Sequence, residues 1–305
     1  MSLVSGVDTG HDRMINRRSA YVRGDTRRSS HGTKLREVNM KNVLCALALA
    51  GLSGSVVAGE VFNQGFETDT AGWSDGGSYG SITRVTSGDN GITSASGGHH
   101  AVVTSSTQSA SYTFFGGSSS TFGGGYTASS DMYLDTSWSD GEGFEFSVAS
   151  YNQAGNHLQD FIFHVTADDS NNILVSANNN GSNNSAGTGL PTTDTTGNFG
   201  TISMSGWYTF EHVFRDNGDG TLAVDLNVFP KGSNTAVFTE TLNSASNDLA
   251  TTVGGNGYGW FNVLNIGDGL ALDNVTLTVV PLPPAALAGL GMLAGFAGVR
   301  KLRQR

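Results

Sequence analysis

Aromatic rings that stand among small polar residues are the side chains in this sequence best suited to bind a ligand. Trp73 lies between a glycine and a serine, and Trp138 lies between two serines with an aspartate following. The faces of such rings stack on pyranose sugars, while polar neighbours bind the sugar hydroxyls. We therefore predict that Trp73 and Trp138 bind carbohydrate, and we expect Trp207 and Trp260 to belong to the core.

The carboxylates do not form a pattern that indicates glycan hydrolysis. That reaction needs two carboxyl groups facing each other across a cleft. Glu142 and Glu145, near Asp140, are the closest cluster in the sequence. On a strand these two glutamates would point to opposite faces, because side chains alternate. The sequence therefore predicts a protein that is not an enzyme.

Histidine and cysteine offer no metal or nucleophile site. None of the histidines has the spacing of a metal site with a second nitrogen ligand. His164 and His212 fall within strand patterns, which favours a structural role in a sheet. The single cysteine, Cys45, lies in an apolar segment near the start of the chain, so no disulfide is expected.

Residues 59–279 carry the signals of an all-β domain. Phe144, Phe146 and Val148 alternate with polar residues, and Phe161, Phe163 and Val165 repeat the pattern. Segments 206–214 and 221–229 form a predicted hairpin joined by an Asn-Gly-Asp-Gly turn. Further strands are predicted at 111–115, 131–135, 172–177, 235–242, 258–266 and 270–279. With many short strands, Gly- and Ser-rich links and no amphipathic helix, we predict a jelly-roll β-sandwich.

The predicted domain is strongly acidic. Residues 60–280 contain 22 acidic and three basic side chains, a net charge of −19. The whole chain has a net charge of only −10, because both of its ends are basic. Such a surface repels nucleic acid, which we exclude as a partner.

The first 58 residues divide at Met40. Residues 1–39 are polar and basic, with no apolar period, and we predict that they are disordered and a non-native extension of the reading frame. The alternative is that they form a genuine, unusually long basic start of the signal peptide. Residues 40–58 have a short basic start, an apolar run and small residues before position 58. This order predicts a signal peptide that signal peptidase removes near Ala58.

The last 26 residues, 280–305, have three parts in a fixed order. A proline-rich segment comes first, an uncharged apolar run at 285–299 follows, and basic residues end the chain. The run is a predicted transmembrane helix, although its 15 residues are short against the roughly 20 that span a bilayer. A plain membrane anchor is the alternative to a sorting signal. The proline-rich segment is Val280, Pro281, Leu282, Pro283, Pro284 and Ala285, and the basic residues are Arg300, Lys301, Arg303 and Arg305.

This tail resembles a PEP-CTERM sorting signal, in the variant with Val-Pro-Leu-Pro before alanine. The resemblance implies a Gram-negative cell, export to an inner-membrane intermediate, recognition by an exosortase, and release to the cell surface or extracellular matrix, often with exopolysaccharide. Pro284 is an insertion relative to the variant, because it stands between the short motif and Ala285.

The two ends of the predicted domain resemble jelly-roll carbohydrate-binding modules. Phe62-Asn-Gln-Gly-Phe-Glu67 is similar to their first strand, and Leu270-Ala-Leu-Asp273-Asn-Val275 to their last. Gly206-Trp-Tyr208 is similar to the corresponding segment of laminin-G-like and concanavalin A-like sandwiches. The resemblance to jelly-roll modules implies a structural calcium ion held by Glu67 and Asp273, with backbone carbonyls near Gly97 and Gly98. The alternative is that both carboxylates only cap strand ends.

These observations lead to one main expectation and two alternatives. We expect an exported, exosortase-sorted protein of the cell surface or biofilm matrix that binds polysaccharide. A non-binding structural or adhesive matrix protein is the first alternative. A glycan-active hydrolase is the second.

Overall fold

The computed structural model describes residues 59–75, 80–105, 111–117, 125–152, 157–179, 198–243, 253–254 and 259–279. These residues form sixteen strands and two short 3₁₀ turns, Asp89–Gly91 and Phe115–Gly117. The strands make two antiparallel sheets of eight, here called sheet A and sheet B. Sheet A contains β1 (Gly59–Gln64), β3 (Gly80–Thr86), β4 (His99–Ser105), β6 (Tyr126–Leu134), β11 (Gly206–Asp216), β12 (Leu222–Pro230), β13 (Phe238–Asn243) and β16 (Leu270–Val279). Sheet B contains β2 (Trp73–Ser74), β5 (Tyr112–Thr113), β7 (Gly143–Asn152), β8 (His157–Ala167), β9 (Ile173–Asn179), β10 (Gly200–Ile202), β14 (Val253–Gly254) and β15 (Gly259–Asn265).

The last strand occupies the interior of sheet A. Sheet A runs β13-β12-β11-β6-β16-β4-β3, and β1 also pairs with β16. One edge of β16 pairs with β6, while its other edge pairs first with β4 and then with β1. Sheet B runs β10-β9-β8-β7-β15-β5-β2, with β14 added beside β7. Strands distant in the sequence therefore meet inside both sheets.

The core lies between the two sheets and follows the alternation of the strands. Phe144, Phe146 and Val148 of β7 are buried beside Phe161 and Phe163 of β8. From sheet A, β11 contributes the rings of Phe210 and Phe214. Phe163 meets Phe210 edge to face, with ring centroids 5.1 Å apart. Apolar area removed from water on these inner faces is the main force that joins the sheets.

The β11–β12 hairpin shows how local sequence sets strand register. Asp216 Oδ1 accepts hydrogen bonds from the backbone N–H groups of Gly218 and Gly220, at 2.7 and 2.9 Å. Both glycines have positive φ, 95° and 89°, which a side chain would disfavour. The Asp216 carboxylate therefore organises the turn, and the hairpin predicted from the sequence is confirmed.

The all-β sandwich predicted from strand alternation is confirmed, and its two antiparallel sheets agree with the jelly-roll type. The predicted strand at 111–115 is only two residues long. Two paired strands that the alternation did not reveal, β3 and β4, complete one edge of sheet A. The signal peptide at 40–58, the preceding residues 1–39 and the sorting tail at 280–305 lie outside the described residues.

No helix among the described residues has the length and apolar character needed to cross a membrane.

A substitution at the start of β7 tests how closely β7 and β8 pack. An added Cβ at Gly143 would stand 2.0 Å from the carbonyl oxygen of Val165, so backbone must move. We expect Gly143→Ala to lower the free energy of unfolding by roughly 1–3 kcal/mol, the usual cost of overpacking. Gly206, the first residue of β11, has open space around its added Cβ and serves as the matched control. Urea denaturation of both variants checks this, and equal stabilities would contradict it.

Candidate functional site

A cleft of about 550 Å³ opens on the outer side of sheet A. Three connections surround it: the 3₁₀ turn Asp89–Gly91, the β6–β7 connection and the β15–β16 turn. Its floor comes from the outward side chains of β4, β6 and β16, which alternate with the core residues of those strands. The cleft is lined by Asp89, Asn90, Gly91, Ile92, His100, Val102, Tyr133, Asp135, Ser137, Trp138, Ser139, Glu142, Ile266, Gly267, Asp268, Gly269 and Ala271.

Trp138 reaches the cleft from a connection that is tightly hydrogen-bonded. The Trp138 N–H donates to the Asp135 carbonyl at 3.1 Å, closing one turn. Glu142 closes the next turn, because its carboxylate accepts a hydrogen bond from the N–H of Ser139 at 2.7 Å. The same carboxylate accepts a second hydrogen bond from the N–H of Gly267 at 3.0 Å. The Trp138 ring is half-buried against the core. The aromatic surface is therefore held in place before any ligand arrives, which lowers the entropy cost of binding.

Two carboxylates of the cleft, Asp135 and Glu142, accept hydrogen bonds that hold its walls. Asp135 accepts hydrogen bonds from the N–H and hydroxyl of Ser137 and from the hydroxyl of Ser205. Partial burial alone would raise the pKa of Asp135, but these hydrogen bonds outweigh it and hold the pKa below its usual value. A general acid of a glycosidase needs the opposite shift. Asp135 therefore lacks the raised pKa that a general acid requires.

Aromatic residues continue from the cleft across sheet A. Tyr133 meets Trp207 edge to face at 5.6 Å, and Trp207 meets His100 in the same way at 5.8 Å. The Trp207 indole N–H donates to the Thr93 carbonyl at 2.7 Å. Burial lowers the pKa of His100, despite the opposing charge of Asp89, so its imidazole is neutral at neutral pH. Beyond Trp207 lies a second groove of about 450 Å³, beside the exposed side chain of Met204.

The structure separates the two tryptophans that the sequence grouped together. Trp138 lines the cleft, whereas Trp73 stacks on the core ring of Phe261, at 6.1 Å and 26°. Trp73 is half-buried, and its buried indole N–H has no hydrogen-bond partner in the described part of the chain. This placement favours a packing role for Trp73, and its role in carbohydrate binding stays a prediction. Trp207 and Trp260, expected in the core, are each only partly buried.

Sequence reasoning did not single out Tyr133, Asp89, Asp135 or Asp268, and it considered Glu142 only as a hydrolase carboxylate. Tyr133 has the alternation of a strand, with its neighbours Met132 and Leu134 fully buried. An aromatic residue on the outward face of β6, five positions before Trp138, was the available signal. This signal indicates a binding surface only when β16 and β4 are known to continue the sheet beyond β6, and local sequence does not reveal that order.

The predicted metal ligands Glu67 and Asp273 both contact the connection between β3 and β4. Glu67 accepts from the N–H groups of Gly98 and His99, at 3.0 and 3.2 Å. These hydrogen bonds, led by that of Gly98, lower the pKa of Glu67. Asp273 accepts from the N–H of Ser96 at 3.0 Å and from that of Asn274 at 2.8 Å. The two ends of the described domain are thus joined through one turn.

Asp273 carries the property that fits a bound cation. Its side chain is fully buried, and it has no ion pair within the described part of the chain. Burial, with the nearby carboxylates of Asp131 and Glu67, raises the pKa of Asp273 to about 6. Lys231 neutralises Asp131 but leaves Asp273 uncompensated. Carboxylate oxygens at Glu67 and Asp273 are the hard ligands that calcium prefers.

The described residues contain no group of three or more His, Cys, Asp or Glu side chains placed to hold a metal. A calcium ion at Glu67 and Asp273 would therefore take its remaining ligands from amide or carbonyl oxygens and water. Calcium at this site stays a prediction.

The chain was compared with protein-family models, with curated proteins and with solved structures. No protein-family model matches the chain. No curated protein matches it either. Among solved structures, the CBM2 module of the evolved Dit protein of Lactobacillus casei BL23 phage J-1 has a TM-score of 0.43 and 10% identity, over 74% of this chain and 97% of that one. A carbohydrate esterase from the Shiga toxin-encoding bacteriophage phi24B has a TM-score of 0.43 and 13% identity, over 73% and 99%. An endo-1,3-beta-glucanase from Streptomyces sioyaensis has a TM-score of 0.40 and 13% identity, over 75% and 99%. These likenesses are too distant to bear on function.

The raised pKa of Asp273 predicts how calcium and pH affect stability. Without metal, the folded state holds a proton on Asp273 more tightly than the unfolded state does. The free energy of unfolding should therefore fall as pH rises from about 4 to about 6. Calcium removes this loss by compensating the carboxylate, so we expect it to raise the melting temperature more at pH 7 than at pH 4.5.

The matched variants are Asp273→Asn and Glu60→Gln, the latter changing an exposed carboxylate of β1. We expect Asp273→Asn to abolish the calcium-dependent rise and Glu60→Gln to retain it, as measured by thermal denaturation with EDTA or calcium. A wild-type melting temperature that is equal in EDTA and in calcium would remove the metal from this site.

Proposed function

We propose that this is an exported protein that binds polysaccharide through the cleft of Trp138 and Tyr133. The observation that carries the proposal is the position of Trp138, half-buried and held by two closed turns at the wall of a 550 Å³ cleft. That volume lies within the range of about 300–1,000 Å³ that small-ligand sites occupy. Tyr133 adds a second aromatic ring, and carboxylate, hydroxyl and apolar side chains line the rest.

The charge of the cleft favours uncharged sugars. Asp89, Asp135, Glu142 and Asp268 all lie in its lining, and among the residues that the structure describes no lysine or arginine does. Such a site would repel uronates and sulfated glycans at neutral pH. The carboxylates would accept hydrogen bonds from the hydroxyl groups of a neutral hexose polymer.

The export part of the proposal is supported by the sequence of the two ends. The apolar segment after Met40 suits signal peptidase, and the tail from Val280 to Arg305 suits recognition by an exosortase. On this proposal the protein passes through an inner-membrane intermediate to the cell surface or matrix. A structural or adhesive role without sugar binding is the alternative, and absence of binding to any polysaccharide would favour it.

Substitution of the two tryptophans tests the binding site directly. We expect Trp138→Ala to weaken binding to a neutral polysaccharide by at least about tenfold, because the ring supplies a contact worth roughly 1.4 kcal/mol or more. Trp73→Ala is the matched control, since its ring packs on Phe261. It should lower the melting temperature and leave affinity within about twofold. Glycan arrays followed by affinity electrophoresis measure both, and the reverse pattern would transfer the site to Trp73.

Processing of the tail tests the export proposal. In cells with an exosortase we expect mass spectrometry of the exported protein to find a C-terminus close to the proline-rich segment, without Arg300 to Arg305. Cells lacking the exosortase should retain the intact tail in the membrane fraction. Deletion of Pro284 restores the motif without the insertion and should be processed at least as well as wild type. If cells that contain the exosortase release protein with an intact tail, that result would contradict the export proposal.

A further inference from the structure

The second groove, of about 450 Å³, has a different polarity from the cleft beside it. Apolar side chains and hydroxyl groups line most of it, and an amine lies at one side. No carboxylate belongs to its lining among the residues that the structure describes, whereas four belong to the lining of the cleft. The side chains that matter for what it binds are those of Ser94, Met204, Ser205, Trp207, Pro230 and Lys231.

Lys231, the one charged side chain in the described lining of the second groove, is already paired. Its ammonium group contacts the carboxylate of Asp131, whose side chain is only 2% exposed. The same carboxylate accepts hydrogen bonds from the Thr209 hydroxyl at 2.5 Å and from the Asn274 amide at 2.7 Å. An anionic ligand would have to take Lys231 from Asp131 and leave a buried carboxylate without its cation, which is costly. The second groove therefore favours an uncharged ligand.

Residues that contact each other across a shared wall separate the second groove from the cleft. Trp207 of β11 stands directly opposite Tyr133 of β6, and Tyr133 lines the cleft. The centroids of their rings are 5.6 Å apart. The hydroxyl of Ser205, in the second groove, donates to the carboxylate of Asp135, in the cleft, at 3.1 Å. The two cavities are therefore immediate neighbours on the outer side of sheet A.

Trp207 has the fixed position that a sugar-binding ring needs. Its indole N–H donates to the Thr93 carbonyl, and its ring meets His100 edge to face. The ring is only partly buried, and the hydroxyl-bearing residues Ser94 and Ser205 line the groove with it. An aromatic ring beside hydroxyl groups offers an apolar surface for a pyranose and hydrogen bonds for its hydroxyls. Because the indole is held in advance, little conformational entropy is lost when a ligand binds.

We propose that the second groove is a second sugar subsite, and that the ligand is a run of linked neutral hexoses that occupies the cleft and the second groove together. This inference rests on the proposed function, since the cleft must bind sugar for the second groove to extend it. Each cavity, at about 550 and 450 Å³, lies in the range of about 300–1,000 Å³ that small-ligand sites occupy. A single sugar unit would therefore leave one of them empty.

Two adjoining subsites make binding depend on the length of the sugar chain. Once one sugar is bound in the cleft, the linked sugars are held at high effective concentration beside the second groove. A chain that reaches Trp207 gains that contact without a second cost of association, whereas a short fragment gains only one set of contacts. The protein would thus select polysaccharide over the free monosaccharides that surround it.

Calorimetry of the full chain with oligosaccharides of graded length tests the inference. The probes are size-fractionated fragments of laminarin, cellulose and mannan, from the disaccharide to the hexasaccharide. We expect the best-bound hexasaccharide to bind at least about tenfold more tightly than its disaccharide, the effect of one good aromatic contact. Equal affinities at all lengths would overturn the second subsite and leave sugar binding in the cleft intact. If neither the fragments nor their parent polysaccharides bind, the proposed function itself is contradicted.

Three variants locate the effect of chain length. Trp207→Ala should bring the ratio of hexasaccharide to disaccharide affinity to within about twofold of one. Met204→Ala removes a groove side chain that is 72% exposed, so the fold should tolerate it, and the ratio should fall about twofold or more. Val61→Ala is the matched control, because Val61 is 44% exposed on β1 and is not among the described residues that line either cavity. It should keep the wild-type ratio.

A wild-type ratio in both Trp207→Ala and Met204→Ala would overturn the second subsite, since a longer chain would then gain its contacts elsewhere. If Trp207→Ala does not fold by circular dichroism, the wild-type length series and Met204→Ala still decide.

Discussion

The pairing of β16 holds sheet A together. This strand joins β6 on one side to β4 and β1 on the other, so the sheet would divide into separate parts without it. Its partners come from the first half of the described chain, and the loop entropy of such distant contacts must be overcome before they stabilise anything. A fold with this topology gains much of its stability only when its last strand is in place.

The same strand links the two candidate sites of sheet A. Asp273 lies where the pairing of β16 with β6 is irregular, and Asn274 beside it adopts a positive φ of 47°. Their side chains bind the connection 87–98 near Ser96, while the start of that connection forms one wall of the cleft. Between these points, the indole N–H of Trp207 donates a hydrogen bond to the Thr93 carbonyl. A cation at Glu67 and Asp273 would therefore stiffen one wall of the binding cleft, because a single segment belongs to both.

Sequence alone predicted the parts of the fold that repeat locally. The alternation of β7, β8 and β12 appears in the sequence because one face of each strand is buried in the core. The Asn-Gly-Asp-Gly turn at 217–220 likewise identified the β11–β12 hairpin. The short β5 and the strand β4 were poorly predicted or not predicted, since they pair with β15 and β16 far along the chain. The unpredicted strand β3 lies at the edge of sheet A, where it pairs with β4. Local pattern cannot reveal a strand that is defined by its neighbours.

Side-chain chemistry was harder to predict than the strands, for the same reason. Trp73 and Trp138 have similar neighbours in the sequence, yet one packs on Phe261 and the other lines a cleft. Glu145, His164 and Ser176 have no common motif, because three consecutive antiparallel strands bring them together. Alternation correctly placed Glu145 on the opposite face from the core, which argued against a site shared with Glu142. It said nothing about contacts between strands, where the direct partner of Glu145 is His164.

The two sheets place their polar groups in different electrostatic environments. On sheet A the Arg215–Asp225 pair is partly exposed, so water and salt screen it and it adds little stability. On sheet B the Glu145–His164 pair is buried, with Ile162 and Leu174 at neighbouring outward positions. A hydrogen bond in such surroundings is stronger, and an unpaired acceptor is more costly, than at the surface. The apolar surroundings on sheet B therefore strengthen the Glu145–His164 hydrogen bond and at the same time raise the cost of any buried polar atom there that lacks a partner among the described residues.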